Sequence, residues 1–276
     1  MGAARELDYT RYYRWWHDES DAHFEQEVRA AETWLSRFWP NDRSAPILDI
    51  GCGMGFVVAS FRRAGFVSVK GIDADRRQVS LARSRGLPVR YVPSADTFNW
   101  MREHVGKYAF VTAVDVLEHI PRDQQLDFLE GVHKLLQPGG SFLCRVPNAN
   151  SSLASIYRYG DWTHHTSFTQ HSLDFVLYNA GFEDIRIEAT RPQPLLRRLT
   201  RPGLWLLGCF RLLRRLEMIG EFGRAQGSRI PLTANIVAVA RKAGPGSGAQ
   251  AREQSQTQPE TTDAPAGRGT AMGAWA

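Results

Sequence analysis

The sequence predicts an α/β fold: a Rossmann-like, doubly wound and mostly parallel seven-stranded sheet, with an N-terminal helical segment and an amphipathic basic insert before the last strand. Three observations predict it. Short apolar runs alternate with helix-like stretches, a glycine-rich turn joins the first such run to its helix, and a final apolar run follows a long connection. In order, residues 9–39 are rich in aromatics, and Phe24, Val28, Ala31, Leu35 and Phe38 recur at helical spacing. Asn41-Asp42 and Pro46 break the chain. Ile47–Ile50 reads as a buried strand, Phe56–Ala64 as a helix stopped by Gly65, and Val67–Ile72 as a second strand ending at Asp73. Arg76–Ser84 is a helix stopped by Gly86, Val89–Val92 a third strand and Phe110–Val116 a fourth. Gln124–Leu136 is a helix ended by Pro138-Gly139-Gly140, before a fifth strand at Phe142–Val146. Leu173–Asn179 is a helix, Glu183–Glu188 a strand, and Ala234–Ala240 a last strand expected to pair antiparallel at one edge.

Residues 1–44 are thus expected to form an aromatic-rich cap, 45–243 the main domain, and 244–276 a disordered tail. That tail has too few large apolar residues to offset its chain entropy. The net charge of +5 is concentrated rather than general. Nine arginines and two glutamates between 191 and 231 give that insert +7, leaving −2 for the rest. Cys52, Cys144 and Cys209 form no close pair, which fits a reducing compartment and gives no disulfide or zinc framework. Met1–Asp8 is polar and no apolar run approaches about 18 residues, so the expected location is cytoplasmic.

The first strand and its turn, Ile47-Leu48-Asp49-Ile50-Gly51-Cys52-Gly53-Met54-Gly55, carry the strongest chemical signal. Glycines there permit positive φ and close approach to a ligand at the carboxyl end of the sheet. A dinucleotide fingerprint counted from Gly51 would need its third glycine at Phe56, but the third glycine is Gly55. Asp49, two residues before Gly51, is awkward beside a pyrophosphate and useful beside the ammonium of a methionyl group. The loop therefore favours S-adenosylmethionine over a nicotinamide dinucleotide. Asp73, 24 residues beyond Asp49, is placed to accept hydrogen bonds from ribose hydroxyls.

Two further segments complete a resemblance. Val114-Asp115-Val116-Leu117-Glu118-His119 is similar to the segment after the fourth strand of class I S-adenosylmethionine-dependent methyltransferases, and Leu136-Gln137-Pro138-Gly139-Gly140 resembles the turn before their fifth strand. The glycine loop resembles their first motif, and together the motifs span about residues 45–190 in the family's order. The resemblance implies that Asp49, Gly51, Cys52, Gly53 and Gly55 hold the methionine part and Asp73 the ribose. Asp115 and Leu117 would line the adenine side, with Asp96 reaching the adenine amino group, although Pro93-Ser94-Ala95-Asp96 departs from the family's usual pattern after the third strand.

Methyl transfer is an in-line displacement, so orientation supplies much of the rate, and a hydroxyl acceptor also needs a base. Asp161-Trp162-Thr163-His164-His165-Thr166-Ser167-Phe168-Thr169 lies on the cofactor side of the sheet and resembles a stretch found in small-molecule and glycan O-methyltransferases. His164 matches the histidine of that stretch and is the candidate base, Asp161 is placed to orient it, and His165 is an unmatched neighbour. The alternative is that Thr169 simply caps the next helix and the histidines are polar loop residues. No metal-ligand spacing stands out.

In the segment 195–219, Trp205, Cys209, Leu212, Leu213, Leu216 and Ile219 share one helical face, and Arg211, Arg214 and Arg215 another. This suits a helix lying on an anionic membrane, or equally one packed on the protein or in a dimer. Nucleic acid is disfavoured because no recognition motif accompanies the arginines. The expected acceptor is a small molecule or lipid-linked glycan methylated on a sugar hydroxyl. A quinone or natural-product O-methyltransferase is the rival, and a catalytically silent cofactor-binding scaffold the rival of another class.

Overall fold

The computed structural model describes residues 18–190 and 202–245. The start of the aromatic segment, the beginning of the basic insert and the expected tail from 246 lie outside the described residues.

Seven strands form one sheet: β1 (Ile47–Ile50), β2 (Val69–Asp73), β3 (Val89–Tyr91), β4 (Tyr108–Val114), β5 (Leu136–Pro147), β6 (Glu183–Ala189) and β7 (Asn235–Arg241). Their order is β3-β2-β1-β4-β5-β7-β6. The first five run parallel, and β7 pairs antiparallel with both β5 and β6. β7 therefore lies inside the sheet, not at its edge as the sequence suggested. The reason is compositional: Ile236, Val237, Ala238 and Ala240 are buried, whereas β6 alternates charges with Ile185 and Ile187 and tolerates the open edge.

The helices are α1 (Asp21–Leu35), α2 (Phe56–Arg63), α3 (Arg76–Ser84), α4 (Thr97–Glu103), α5 (Gln125–Leu135), α6 (Ala154–Tyr159), α7 (Gln170–Asn179) and α8 (Pro202–Gly227), the last broken at Gly223. One sheet face buries Ile47, Phe110, Leu143 and Val237 against Val58 and Phe61 of α2 and Val79 of α3. The other buries Leu48, Ile50, Val111 and Phe142 with Trp100 of α4, Phe128 and Leu129 of α5 and Leu173 of α7. Period-two alternation in β1 thus feeds both layers. α1 begins at Ser20, whose side chain accepts from the His23 amide, and buries Phe24 and Val28 against Ala59.

Two junctions differ from expectation. Pro138-Gly139-Gly140 does not separate helix from strand: α5 ends at Leu135 and β5 starts at once, with an irregular register opposite Tyr108 and Phe110. Gly139 takes φ 78°, and its amide reaches the carbonyls of Lys242 and Ala243 beyond β7. The run is an irregularity held by the end of β7. β4 stops at Val114 rather than Val116 because Asp115 adopts φ 57°, turning the chain into a single 3-10 turn at Leu117–His119. The helices α4 and α6 were not anticipated from sequence.

Candidate functional site

The turn after β1 is built from backbone conformations that favour glycine. Gly51, Gly53 and Gly55 have φ of 67°, 52° and 87°. A Cβ on Gly51 would stand 2.4 Å from Val116 Cγ2, and one on Gly55 2.5 Å from Leu87 Cδ1. The amides of Gly51 and Cys52 both donate to the Ile72 carbonyl, closing β1 onto β2. Asp73 at the tip of β2 accepts from the Gly53 amide through Oδ2 and from the Asp75 amide through Oδ1, each at 2.7 Å. This carboxylate holds the loop, and the second lone pair on each oxygen leaves capacity for further donors such as ribose hydroxyls.

Asp49 is 1% exposed, and its Oδ1 accepts from Thr112 Oγ1 at 2.6 Å. Burial drives its carboxyl up to about 7, against the Thr112 hydrogen bond, and repulsion from Asp73 adds to the rise. Asp73 is also raised, chiefly by burial and partly offset by its amide donors. Burial holds the Cys52 thiol well above its ordinary range, so it stays protonated. Two adjacent carboxyls whose ionisation is opposed by burial, beside a glycine cradle too tight for side chains, fit a cationic ligand carrying hydroxyl donors.

The other expected cofactor residues are placed less uniformly. Asp115 is held by Arg145, whose Nε donates to Oδ1 at 2.8 Å and whose Nη2 meets Oδ2, while the guanidinium lies over Trp34. Leu117 is fully buried in the core, so its side chain is not available to a ligand. Asp96 is exposed before α4 and caps it without a side-chain hydrogen bond.

A second group lies on the Leu117–His119 turn and the loop 161–166. The His165 amide donates to the Glu118 carbonyl at 2.7 Å, and Gln125 Nε2 reaches the carbonyls of Leu117 and Ile120 and the Thr166 hydroxyl. These bonds fasten the loop to the turn. His119 and His164 then meet edge to face, with ring centroids 4.5 Å apart. Thr163 Oγ1 donates to Asp161 Oδ1 at 2.7 Å and lies 2.8 Å from His119 Nδ1, which must therefore carry the proton in that contact. His164 Nδ1 is bonded to the Tyr157 carbonyl, which only accepts, and its Nε2 lies 3.4 Å from Asp161 Oδ2. Asp161 thus faces the outer nitrogen of His164, while Tyr157 supplies the anchor expected of the carboxylate. His165 is exposed and outside the group. Thr169 does cap α7, in a reciprocal pair with Ser172.

Glu118 and His119 are the residues whose placement sequence reasoning did not value. Glu118 is 1% exposed, and both carboxylate oxygens are buried with no hydrogen-bond partner among the described residues. Burial, with repulsion from Asp115 and Asp161, holds its carboxyl well above the usual range. Burial and the neighbouring His164 lower His119 to about 4, so it is neutral at pH 7. One ligand atom from each of Glu118, His119 and His164 lies within 4.8 Å of the others. Glu118 and His119 are adjacent in sequence but His164 lies far along the chain, and only the fold brings it there; the available signal was a carboxylate beside a histidine just after a strand.

Comparisons with known proteins bear on the whole arrangement. The profile of a family described as a methyltransferase domain matches residues 15–187. A ubiquinone biosynthesis O-methyltransferase of Proteus mirabilis is 33% identical over 109 residues, covering 38% of this chain and 42% of that enzyme. The match therefore spans less than half of that relative's length. Among solved structures, an S-adenosylmethionine-dependent methyltransferase from Archaeoglobus fulgidus superposes with a TM-score of 0.61 at 18% identity, covering 85% of this chain and all of the other. The phosphoethanolamine N-methyltransferase 2 of Haemonchus contortus, solved with S-adenosyl-L-methionine, gives 0.56 at 16% identity over 86% of this chain and 60% of that one.

Proposed function

The chain belongs to the S-adenosylmethionine-dependent methyltransferases, and from that premise we propose that it methylates a hydroxyl oxygen of a sugar, most naturally one in a lipid-linked glycan. When bound, S-adenosylmethionine supplies an electrophilic methyl group on a positively charged sulfur. Asp49 and the Gly51–Gly55 turn would hold its methionyl end, Asp73 the ribose, and Asp96, Asp115 and the Leu117 backbone the adenine side. Asp161, His164 and His119 mark where the acceptor loses its proton, with exposed His165 at the margin.

The observation that carries an oxygen acceptor is the histidine pair, built beside the first turn after β4 and locked by Thr163, Asp161 and Tyr157. A neutral alcohol is a poor nucleophile; His119, held through Nδ1, leaves Nε2 for the acceptor, while the outer nitrogen of His164 is shared with Asp161. The second reading, a phenolic hydroxyl of a prenylated ring, is favoured by the naming of the Proteus relative. Both acceptors are lipid-borne, which suits α8. Phe210, Leu212, Leu213 and Leu216 are exposed there beside Arg214 and Arg215, and among the described residues no helix is long and apolar enough to cross a membrane. Residues 1–44 would then act as a cap, and the 191–231 insert as a surface anchor.

The deciding experiment supplies radiolabelled methyl donor with lipid-linked glycans, prenylated phenols and water-soluble sugars. Label on a glycan hydroxyl supports the first reading, and label confined to the phenol replaces it. Incorporation into nitrogen alone, or donor binding with no incorporation into any fraction of the source cell, refutes an oxygen acceptor. The latter result leaves the silent scaffold.

A further inference from the structure

We propose that Glu118, His119 and His164 form the binding site of a divalent transition cation of the zinc class. The site lies beside the cofactor crevice and presents an open position to the acceptor. The assignment of that open position rests on the O-methyltransferase reading; the cation site itself does not.

Three observations carry it. The ligand atoms of the three residues already lie within 4.8 Å of one another, so modest side-chain rotations bring them to the separations set by bonds of about 2.0–2.2 Å. Glu118 is a carboxyl buried to 1% exposure with neither oxygen hydrogen-bonded among the described residues, an arrangement that costs stability unless something occupies those lone pairs. While His164 Nε2 would exchange its contact with Asp161 Oδ2 for the cation, both imidazoles are held through Nδ1, His119 by Thr163 Oγ1 and His164 by the Tyr157 carbonyl. This is the outer-shell pattern that orients metal-binding histidines, since the N–H so anchored leaves Nε2 as the ligand. Asp161 Oδ2, 3.4 Å from His164 Nε2, adds a second carboxylate at the site's margin. Thr163 links that same carboxylate to His119.

Two imidazoles and a carboxylate suit zinc and its neighbours rather than magnesium or calcium, which prefer oxygen alone. Three protein ligands leave a coordination position free, as catalytic rather than structural sites do. An acceptor hydroxyl taking that position would lose its proton more readily to solvent. The cation would thus do what sequence reasoning assigned to His164 as a base. A substrate with a neighbouring oxygen, as in a sugar diol, would chelate and so be preferred.

The test uses the full chain, freed of metal with a chelator and then titrated with Zn²⁺ alone and, separately, with Co²⁺. The expected result is one tight site per chain, a cobalt spectrum without thiolate charge-transfer bands, and affinity lower by about 10-fold or more in Glu118→Gln, His119→Ala and His164→Ala. S-adenosylmethionine binding to the same variants reports their folding and should change little. No stoichiometric binding, thiolate bands pointing to Cys52, Cys144 or Cys209, or undiminished affinity in His119→Ala and His164→Ala would each overturn the site. Loss of S-adenosylmethionine binding by the unaltered protein would instead sink the methyltransferase reading and leave the cation site standing.

Discussion

If Asp49 receives the donor as proposed, the donor's affinity should depend on pH, in an amount that follows from the burial of that carboxyl. In the ligand-free chain its carboxyl titrates at about 7, because burial opposes the charge more than Thr112 favours it. If the anion is what attracts the donor's ammonium, binding must draw the pKa down and release a proton. The fraction ionised before binding then sets the affinity. With a midpoint near 7, Kd should be about tenfold lower at pH 8 than at pH 6, with about half a proton released at pH 7. Calorimetry in two buffers of different ionisation enthalpy measures both quantities. Asp49→Asn keeps an acceptor for Thr112 and removes the titration, so its profile should be flat and its affinity at pH 8 lower. The sign for stability is opposite. The unfolded carboxyl ionises near its ordinary value of 3.8, so the ligand-free fold loses stability as pH rises from there to about 7 and levels off above it. A wild-type Kd unchanged from pH 6 to 8, or a slope that survives in Asp49→Asn, refutes the argument.

Other consequences are more local. Gly51→Ala adds a Cβ 2.4 Å from Val116 Cγ2 at φ 67°, and should cost about 1–3 kcal/mol in chemical denaturation and weaken donor binding sharply. Thr163→Val breaks the link between His119 and Asp161, and should lower kcat by about tenfold or more in the radiolabel assay while donor affinity stays unchanged. Changing Arg211, Arg214 and Arg215 to Glu should abolish sedimentation with anionic vesicles if α8 is an anchor, since each arginine contributes about 1 kcal/mol there. Sedimentation that persists would rule the anchor out.

The sheet was legible because its signals are local. Ile47–Ile50 and Val89–Tyr91 are short stretches in which one charged residue, Asp49 or Arg90, sits among β-favouring side chains close to proline or glycine. What failed depended on distant partners. The interior place of β7 follows from which strand can bear an open edge, a comparison between 183–189 and 235–241 that neither segment states alone. The Pro138-Gly139-Gly140 run reads as a turn until Lys242 and Ala243 are seen to satisfy its backbone. Asp115 likewise looks like a strand residue, and the φ of 57° it adopts, which Asp tolerates better than most, is accompanied by its pairing with Arg145.

The same distinction divides the site. The proposed donor half is one uninterrupted motif, Asp49 to Gly55, completed by Asp73 on the neighbouring strand. The acceptor half joins Glu118 and His119 to a loop more than forty residues later, through the Thr163, Gln125 and Glu118 backbone bonds. The two halves meet at Val116. Its side chain fills the space that Gly51 leaves open, and the next three residues form the turn that carries Glu118 and His119. Any movement of the glycine turn on donor binding would therefore be felt by the segment that carries Glu118 and His119. The spacing between methyl donor and acceptor is then set by the short span from Gly51, through Val116, to His119, whatever the surface insert does. On the proposed reading, changes in the 161–166 loop would alter which acceptor group is presented without disturbing how the donor is held.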